Sequence, residues 1–262
     1  MKDHESILFS RFFFLLEQET GIEISAANEW HVTQRIHSLC HELQLSLQEL
    51  DKKLHSSSRQ HILPRFIECA LVQESFFFRD PEMFCLLENE ILPSLNEKLE
   101  HIHIWSCACA FGQEIYSVAM LCHKLNLLHK TSFWGSDISE RAIQKAQKGI
   151  YSDKELTRSL TQNDIQLFFT PYGTHWKISA ELQKNVEFFL HNLLYPTGKR
   201  DFYHIILLKN VLMYFTTHNR EKCIHYIRNT LSPEGVIIIS NPQNRIIHAL
   251  SSEQSQKLFM ER

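Results

Sequence analysis

From Ile102 to Ile239, short runs of uninterrupted apolar residues alternate with segments whose apolar residues recur every three or four positions. Strands without polar alternation are buried on both faces, and that demands a parallel sheet with helices on either side. The spacing predicts a first strand over Ile102–Ala108 and a helix from Gln113 that lays Ile115, Val118, Ala119, Cys122 and Leu125 on one face. A second strand, Ser132–Ile138, leads into a helix that turns Ala142, Ile143 and Ala146 inward and stops at Gly149. Tyr203–Asn210 and Gly235–Ser240 read as further buried strands, with a helix at Glu221–Leu231 and a turn at Ser232-Pro233-Glu234. The pattern breaks between Gln166 and Leu190, where LFFTPYG, THWKIS and VEFFL suggest short antiparallel strands, an inserted β element over about 166–190.

Upstream, every segment from Phe9 to about Gln73 reads as helix. Phe9, Phe12, Phe13 and Leu16 end at a Gly21 break, Val32, Ile36, Leu39 and Leu43 form a stripe begun near Asn28, and shorter helices follow at Ser46–Leu54 and Arg59–Leu71. The expected organisation is therefore α/β: a helical N-terminal domain, residues 1–73, then a doubly wound domain, residues 74–262. Through Val72, seven Lys and Arg stand against ten Asp and Glu. The net charge of −3 over 262 residues gives no reason to expect nucleic acid or an anionic membrane surface as partner. No apolar run reaches the length of a membrane span and MKDHES is not a signal sequence, so a cytoplasmic protein is expected, as a monomer.

Polar residues fall repeatedly just past the strand ends: Gly112-Gln113-Glu114, Asp137, Asn192 and Asn210. In open parallel sheets ligands bind at that edge, and an acid ending the second strand commonly accepts hydrogen bonds from ribose. The turn at Gly112 is neither a P-loop nor a GxGxxG dinucleotide fingerprint. Seven cysteines without a CxxC and sixteen scattered histidines without HExxH predict no metal site, and Cys107 and Cys109 read as small buried residues.

An ordered set of segments resembles the chemotaxis receptor (CheR-type) protein-glutamate O-methyltransferases: tGIEI with Arg35 in the second helix, ESFFFRD at Glu74–Asp80, IWSCACAFGQEIYSVAM at Ile104–Met120, GSDIS at Gly135–Ser139, VEFFLHNLL at Val186–Leu194, IILLKNVLMYF at Ile205–Phe215 and LSPEGVIII at Leu231–Ile239. The resemblance implies a helical domain joined to a Rossmann-like methyltransferase domain with a small antiparallel insertion. It implies methyl transfer from S-adenosyl-L-methionine, leaving S-adenosyl-L-homocysteine, to glutamate side chains of a chemoreceptor cytoplasmic domain or of another acceptor protein. Ser75, Arg79, Glu114, Asp137, Asn192, Leu193, Lys209 and Asn210 would surround the cofactor; Arg79 and Tyr214 would also serve the transfer itself. Arg35 would belong to the acceptor-reading face of the helical domain.

An acceptor carboxylate is ionised near neutral pH, so the chemistry asks for positioning rather than a general base. The sequence departs from the family at four points: Ala110-Phe111-Gly112-Gln113 replaces hydroxyls and an acid, Lys209 stands for an arginine, the last strand ends on Ser240–Gln243, and the helical domain is acidic. A cofactor-binding regulatory or scaffold protein that has lost transfer is the alternative from another class, and a methyltransferase with a different acceptor is a third reading.

Overall fold

The computed structural model describes residues 2–239 and 248–251, and these form two compact units. The first comprises Met1–Val72 with Tyr214–Lys222. Its helices are α1 (Lys2–Thr20), α2 (Glu29–Leu43), α3 (Leu47–Leu54) and α4 (Arg59–Ile67). Phe12 and Leu16 on α1 are fully buried, and Phe12 meets Phe66 of α4 edge to face at 5.5 Å. Gly21 at φ +76° ends α1, a left-handed residue where glycine meets no Cβ penalty. Asn28 occupies the N-cap position of α2, but its side chain takes the Ser25 N–H instead of a helical one. Ser46 and Glu49 form a reciprocal capping box on α3. The distant Tyr214–Lys222 stretch is stitched in by an antiparallel bridge between Ile22 and Phe215 and by the Glu23 N–H donating to the Tyr214 carbonyl at 2.7 Å.

The second unit, Gln73–Met213 with Cys223 onward, opens on α5 (Pro81–Leu86) and α6 (Leu92–Lys98), joined by a π-helical turn at Leu87–Ile91. Then come β1 (Ile102–Cys107), α7 (Gln113–Lys124), β2 (Thr131–Asp137), α8 (Glu140–Lys148), β3 (Ile150–Ser152), α9 (Asp153–Thr157), α10 (Gln162–Phe168), β4 (Phe169–Tyr172), β5 (His175–Ile178), α11 (Ala180–Gln183), β6 (Val186–Leu190), β7 (Tyr203–Leu208), α12 (Thr217–Arg228, of which the residues through Lys222 are counted with the first unit), β8 (Leu231–Ile239) and β9 (His248–Ser251). The main sheet has the order β6-β2-β1-β7-β8-β9, parallel except for β9. A small antiparallel sheet, β3-β5-β4, stands apart.

Three sequence expectations change. VEFFL is β6, the parallel edge strand of the main sheet, and not part of an antiparallel insertion; its register places Phe188 beside Gly135, where the absent side chain leaves room for the ring. The small sheet instead recruits Ile150–Ser152 from just after α8. The helix expected at Glu221–Leu231 starts at Thr217, because Thr216 Oγ1 accepts the Asn219 N–H, and it ends at Arg228 because Leu231 already pairs with Tyr203. The turn at Ser232–Glu234 lies within β8, as an interruption between the Tyr203/Leu231 and Ile205/Val236 pairs. The expected Ser240 end of that strand, and the Ser240–Gln243 departure, lie outside the described residues.

Phe188 is the wedge between edge strand and turn. A Cβ on Gly135 would meet its ring at 2.7 Å and Cys109 Sγ at 3.1 Å, and one on Gly112 would meet it at 3.1 Å. Gly135→Ala is therefore expected to destabilise the protein by about 1–3 kcal/mol in urea unfolding, as overpacking does. Phe188→Leu in the same chain should recover most of that loss; additive losses would show that the ring is not what fills the space.

Candidate functional site

The turn between β1 and α7 is built from left-handed residues at alternate positions: Ala108 at φ +54°, Ala110 at +47° and Gly112 at +86°. For alanine that conformation costs on the order of 1–2 kcal/mol each, so the surroundings must fix it. Asp137, at the end of β2 and 8% exposed, does so: its Oδ2 accepts the Ala110 N–H and its Oδ1 the Ser139 N–H, both at 2.9 Å. Cys109 N–H donates to the Ser136 carbonyl at 2.8 Å, and the Tyr151 hydroxyl donates to the Phe111 carbonyl at 2.7 Å. The His191 N–H reaches the Asp137 carbonyl at 2.9 Å, so β6 and the Asn192 that follows it end beside the same acid.

Two acids and a lysine lie beneath this turn. Ser106 of β1 donates to Glu114 Oε1 at 2.7 Å. The Lys209 ammonium, its side chain only 2% exposed, pairs with Asp80 and lies 3.9 Å from Glu114 Oε2. Burial pushes the Glu114 carboxyl up to about 7, against the opposing pull of the Ser106 hydrogen bond and the Arg79 charge. Burial, reinforced by Arg79, lowers the Lys209 ammonium to about 7, while the two carboxylates beside it favour its charged form. Gln113, the first residue of α7, is 1% exposed, and its Oε1 is buried without a hydrogen-bond partner among the described residues. An ionised glutamate at this depth would carry a desolvation cost that the neutral amide avoids.

The remaining expected site residues are placed as follows. Ser75 and Arg79 are half-buried on the Gln73–Asp80 segment, where Arg79 Nη1 donates to the Glu74 carbonyl at 2.5 Å. That segment is anchored by fully buried Phe77, by Phe78 at φ +49° whose N–H donates to Ser117 Oγ, and by the Asp80–Lys209 pair. Asn192 turns its Oδ1 onto the Leu194 N–H, and Leu193 is buried. Asn210 follows β7 at φ +54°. Tyr214 belongs to the first unit, at the end of the 3₁₀ turn Leu212–Tyr214. Arg35, in that unit too, spends one guanidinium nitrogen on the Leu71 carbonyl at 2.5 Å, so it binds the end of its own domain. Asp80 and Ser106 had no role in the sequence reading, since a buried ionic bridge between distant segments has no local signature.

Residues 73–255 match the family described as CheR methyltransferase, SAM binding domain. The chain belongs to that family. Among its relatives, chemotaxis protein methyltransferase Cher2 of Pseudomonas putida is 26% identical over 241 residues, covering 88% of each chain. A chemotaxis protein methyltransferase of Vibrio parahaemolyticus is 28% identical over 246 residues, covering 91% of this chain and 88% of that one. A Listeria monocytogenes chemotaxis protein methyltransferase is 24% identical over 234 residues, with 88% of both covered. The cofactor of the family is S-adenosylmethionine. The polar groups here suit it: two carboxylates, Asp137 and Glu114, as acceptors for hydroxyl and ammonium hydrogens, and the buried Gln113 Oε1, without a partner among the described residues, at the start of α7.

The titration of Glu114 gives a directional test. Its carboxyl is mostly ionised about one unit above 7 and mostly protonated about one unit below, and protonation removes both a charge and acceptor capacity. Calorimetric affinity for S-adenosylhomocysteine should fall as the pH drops through about 7 in the wild type. In Glu114→Gln it should be weaker and its slope clearly reduced over the same range, the remaining slope belonging to Lys209, which titrates there too. An unchanged slope in the variant would assign the titration to another group.

Proposed function

We propose that the protein transfers a methyl group from S-adenosylmethionine to glutamate side chains of a chemoreceptor cytoplasmic domain, as an adaptation enzyme of bacterial chemotaxis working in the cytoplasm. Among the described residues no helix is long and apolar enough to cross a membrane. The observation that carries this reading is the set of carboxylates, Asp137 and Glu114, fixed at the strand ends of a family member whose relatives are named chemotaxis methyltransferases. In this reading Asp137 and Glu114 hold the cofactor's hydroxyls and ammonium, Asn192 and Leu193 flank its base, and Ser75 and Asn210 border the reacting end. Lys209 serves the cofactor indirectly, by holding Glu114 and the Gln73–Asp80 segment together.

When bound, the cofactor supplies an electrophilic methyl on a sulfonium. The protein's own contribution is orientation and the exclusion of water. The acceptor carboxylate is already a nucleophile, so no side chain has to remove a proton from it. Arg79 presents a planar, permanently charged fork suited to a carboxylate, and it is tethered through Glu74 on a segment fixed at both Phe77 and Asp80. Tyr214 orients the nucleophile through its hydroxyl. Positioning at near-attack distance can supply on the order of 7–11 kcal/mol of the barrier.

Incubation with methyl-labelled S-adenosylmethionine and a chemoreceptor fragment should yield base-labile methyl esters on glutamate. Arg79→Ala and Tyr214→Phe should lower kcat by at least about tenfold while changing S-adenosylhomocysteine affinity much less, since both act on the acceptor side. Parallel losses in rate and affinity would make them cofactor residues. Tight cofactor binding with no ester formed by the wild type would favour a regulatory or scaffold protein.

A further inference from the structure

Where the family carries a hydroxyl in the β1–α7 turn, this chain has Phe111, and the structure gives that ring a use. Lys145 Nζ lies 4.5 Å from its centroid and the Arg141 guanidinium carbon 5.9 Å. A second ring, Phe76 on the Gln73–Asp80 segment, is covered by Arg158 at 3.8 Å and approached by Arg79 at 5.7 Å. The two ring–cation groups form one patch: Arg141 also reaches Gln73 Oε1 at 2.6 Å, and Arg158 reaches Glu74 Oε1 at 3.1 Å. Arg158 and Lys145 keep 49% and 35% of their side chains in solvent, so the patch faces outward.

We infer that this aromatic-backed basic rim, Phe76 and Phe111 with Arg79, Arg141, Lys145 and Arg158, receives an acidic stretch flanking the acceptor glutamate. The inference rests on the transferase reading above and adds to it the surface that reads the acceptor. Its support is charge and place. Residues 140–158 carry five Lys and Arg against three Asp and Glu, whereas residues 1–72 carry seven against ten. An acidic segment is thus drawn to the rim and not to the helical domain's net field. Arginine and lysine lying over aromatic faces keep their stems packed and turn their hydrogen-bonding edges to carboxylates, here Glu74 for Arg158 and Glu155 for Lys145. The rim's Phe111 directly precedes Gly112, so a segment seated on it lies beside the turn that Asp137 holds. Glu74 and Glu155, now paired with Arg158 and Lys145, would be exchanged for the incoming carboxylates.

The test uses the full-length protein and two synthetic peptides, each with one central glutamate, flanked in one by further glutamates and in the other by glutamines. Binding is read by fluorescence anisotropy and transfer by base-labile label. The wild type should prefer the acidic peptide about tenfold, as two or three surface charge pairs allow, with the preference shrinking in high salt. Arg141→Gln with Lys145→Gln should reduce the preference to about twofold or less while S-adenosylhomocysteine affinity and the thermal midpoint stay near wild type. Phe111→Thr should reduce it part of the way. An undiminished preference in the double variant, or no preference in the wild type, overturns the rim. Charge-selective peptide binding without ester formation upholds the rim and removes the transferase reading, so the two fail separately.

Discussion

The site depends first on one carboxylate. Asp137 ends β2 and uses its two oxygens on two backbone amides, Ala110 in the β1–α7 turn and Ser139 at the start of α8. A turn with alanines at φ +54° and +47° is unfavourable on its own, and charge-assisted hydrogen bonds in a buried setting are strong enough to hold it. Holding it sets where Gly112, Gln113 and Glu114 enter α7, and the backbone carbonyl of the same residue accepts the His191 N–H just past β6. One residue, through its carboxylate and its backbone carbonyl, therefore joins three neighbouring strand ends of the sheet.

Lys209 performs a second alignment at greater depth. A nearly buried ammonium among Asp80 and Glu114 gives little net stability, because desolvation offsets most of the attraction. What it does give is geometric: β7, the Gln73–Asp80 segment and α7 are joined at one point. The departures from the family acquire physical meaning in this setting. Gln113 is neutral where burial is nearly complete. Phe111 faces the cations of α8, and Lys209 fills a space that takes a point charge bound to carboxylates.

Much of the fold was legible because strands buried on both faces and one-sided helices leave strong periodic signals: β1, α7, β2 and β7 lie within a residue or two of the apolar runs that announced them, and Gly149 ends α8 in the left-handed conformation expected of it. VEFFL was misplaced because a five-residue apolar strand carries no mark of its partner; its place in the sheet is decided by the Phe188–Gly135 fit. The position of Asp137 at the end of β2 was legible because it closes an apolar run directly. The Asp80–Lys209 bridge and the rings under Lys145 and Arg158 were not, because each joins residues far apart in the chain through contacts that only the fold creates. Arg35 is exposed on α2 and gives one guanidinium nitrogen to the Leu71 carbonyl, a contact that its sequence context does not announce.

The central claim is that the carboxylate ordering the turn also serves the cofactor. Calorimetry of S-adenosylhomocysteine binding to wild type and Asp137→Ala, with amide exchange followed across residues 108–114, tests it directly. The account predicts an affinity loss of about 1.5–3 kcal/mol, the cost of losing hydrogen bonds to a charged group, together with faster exchange at Ala110. Unchanged affinity in a variant whose turn exchanges faster would contradict it.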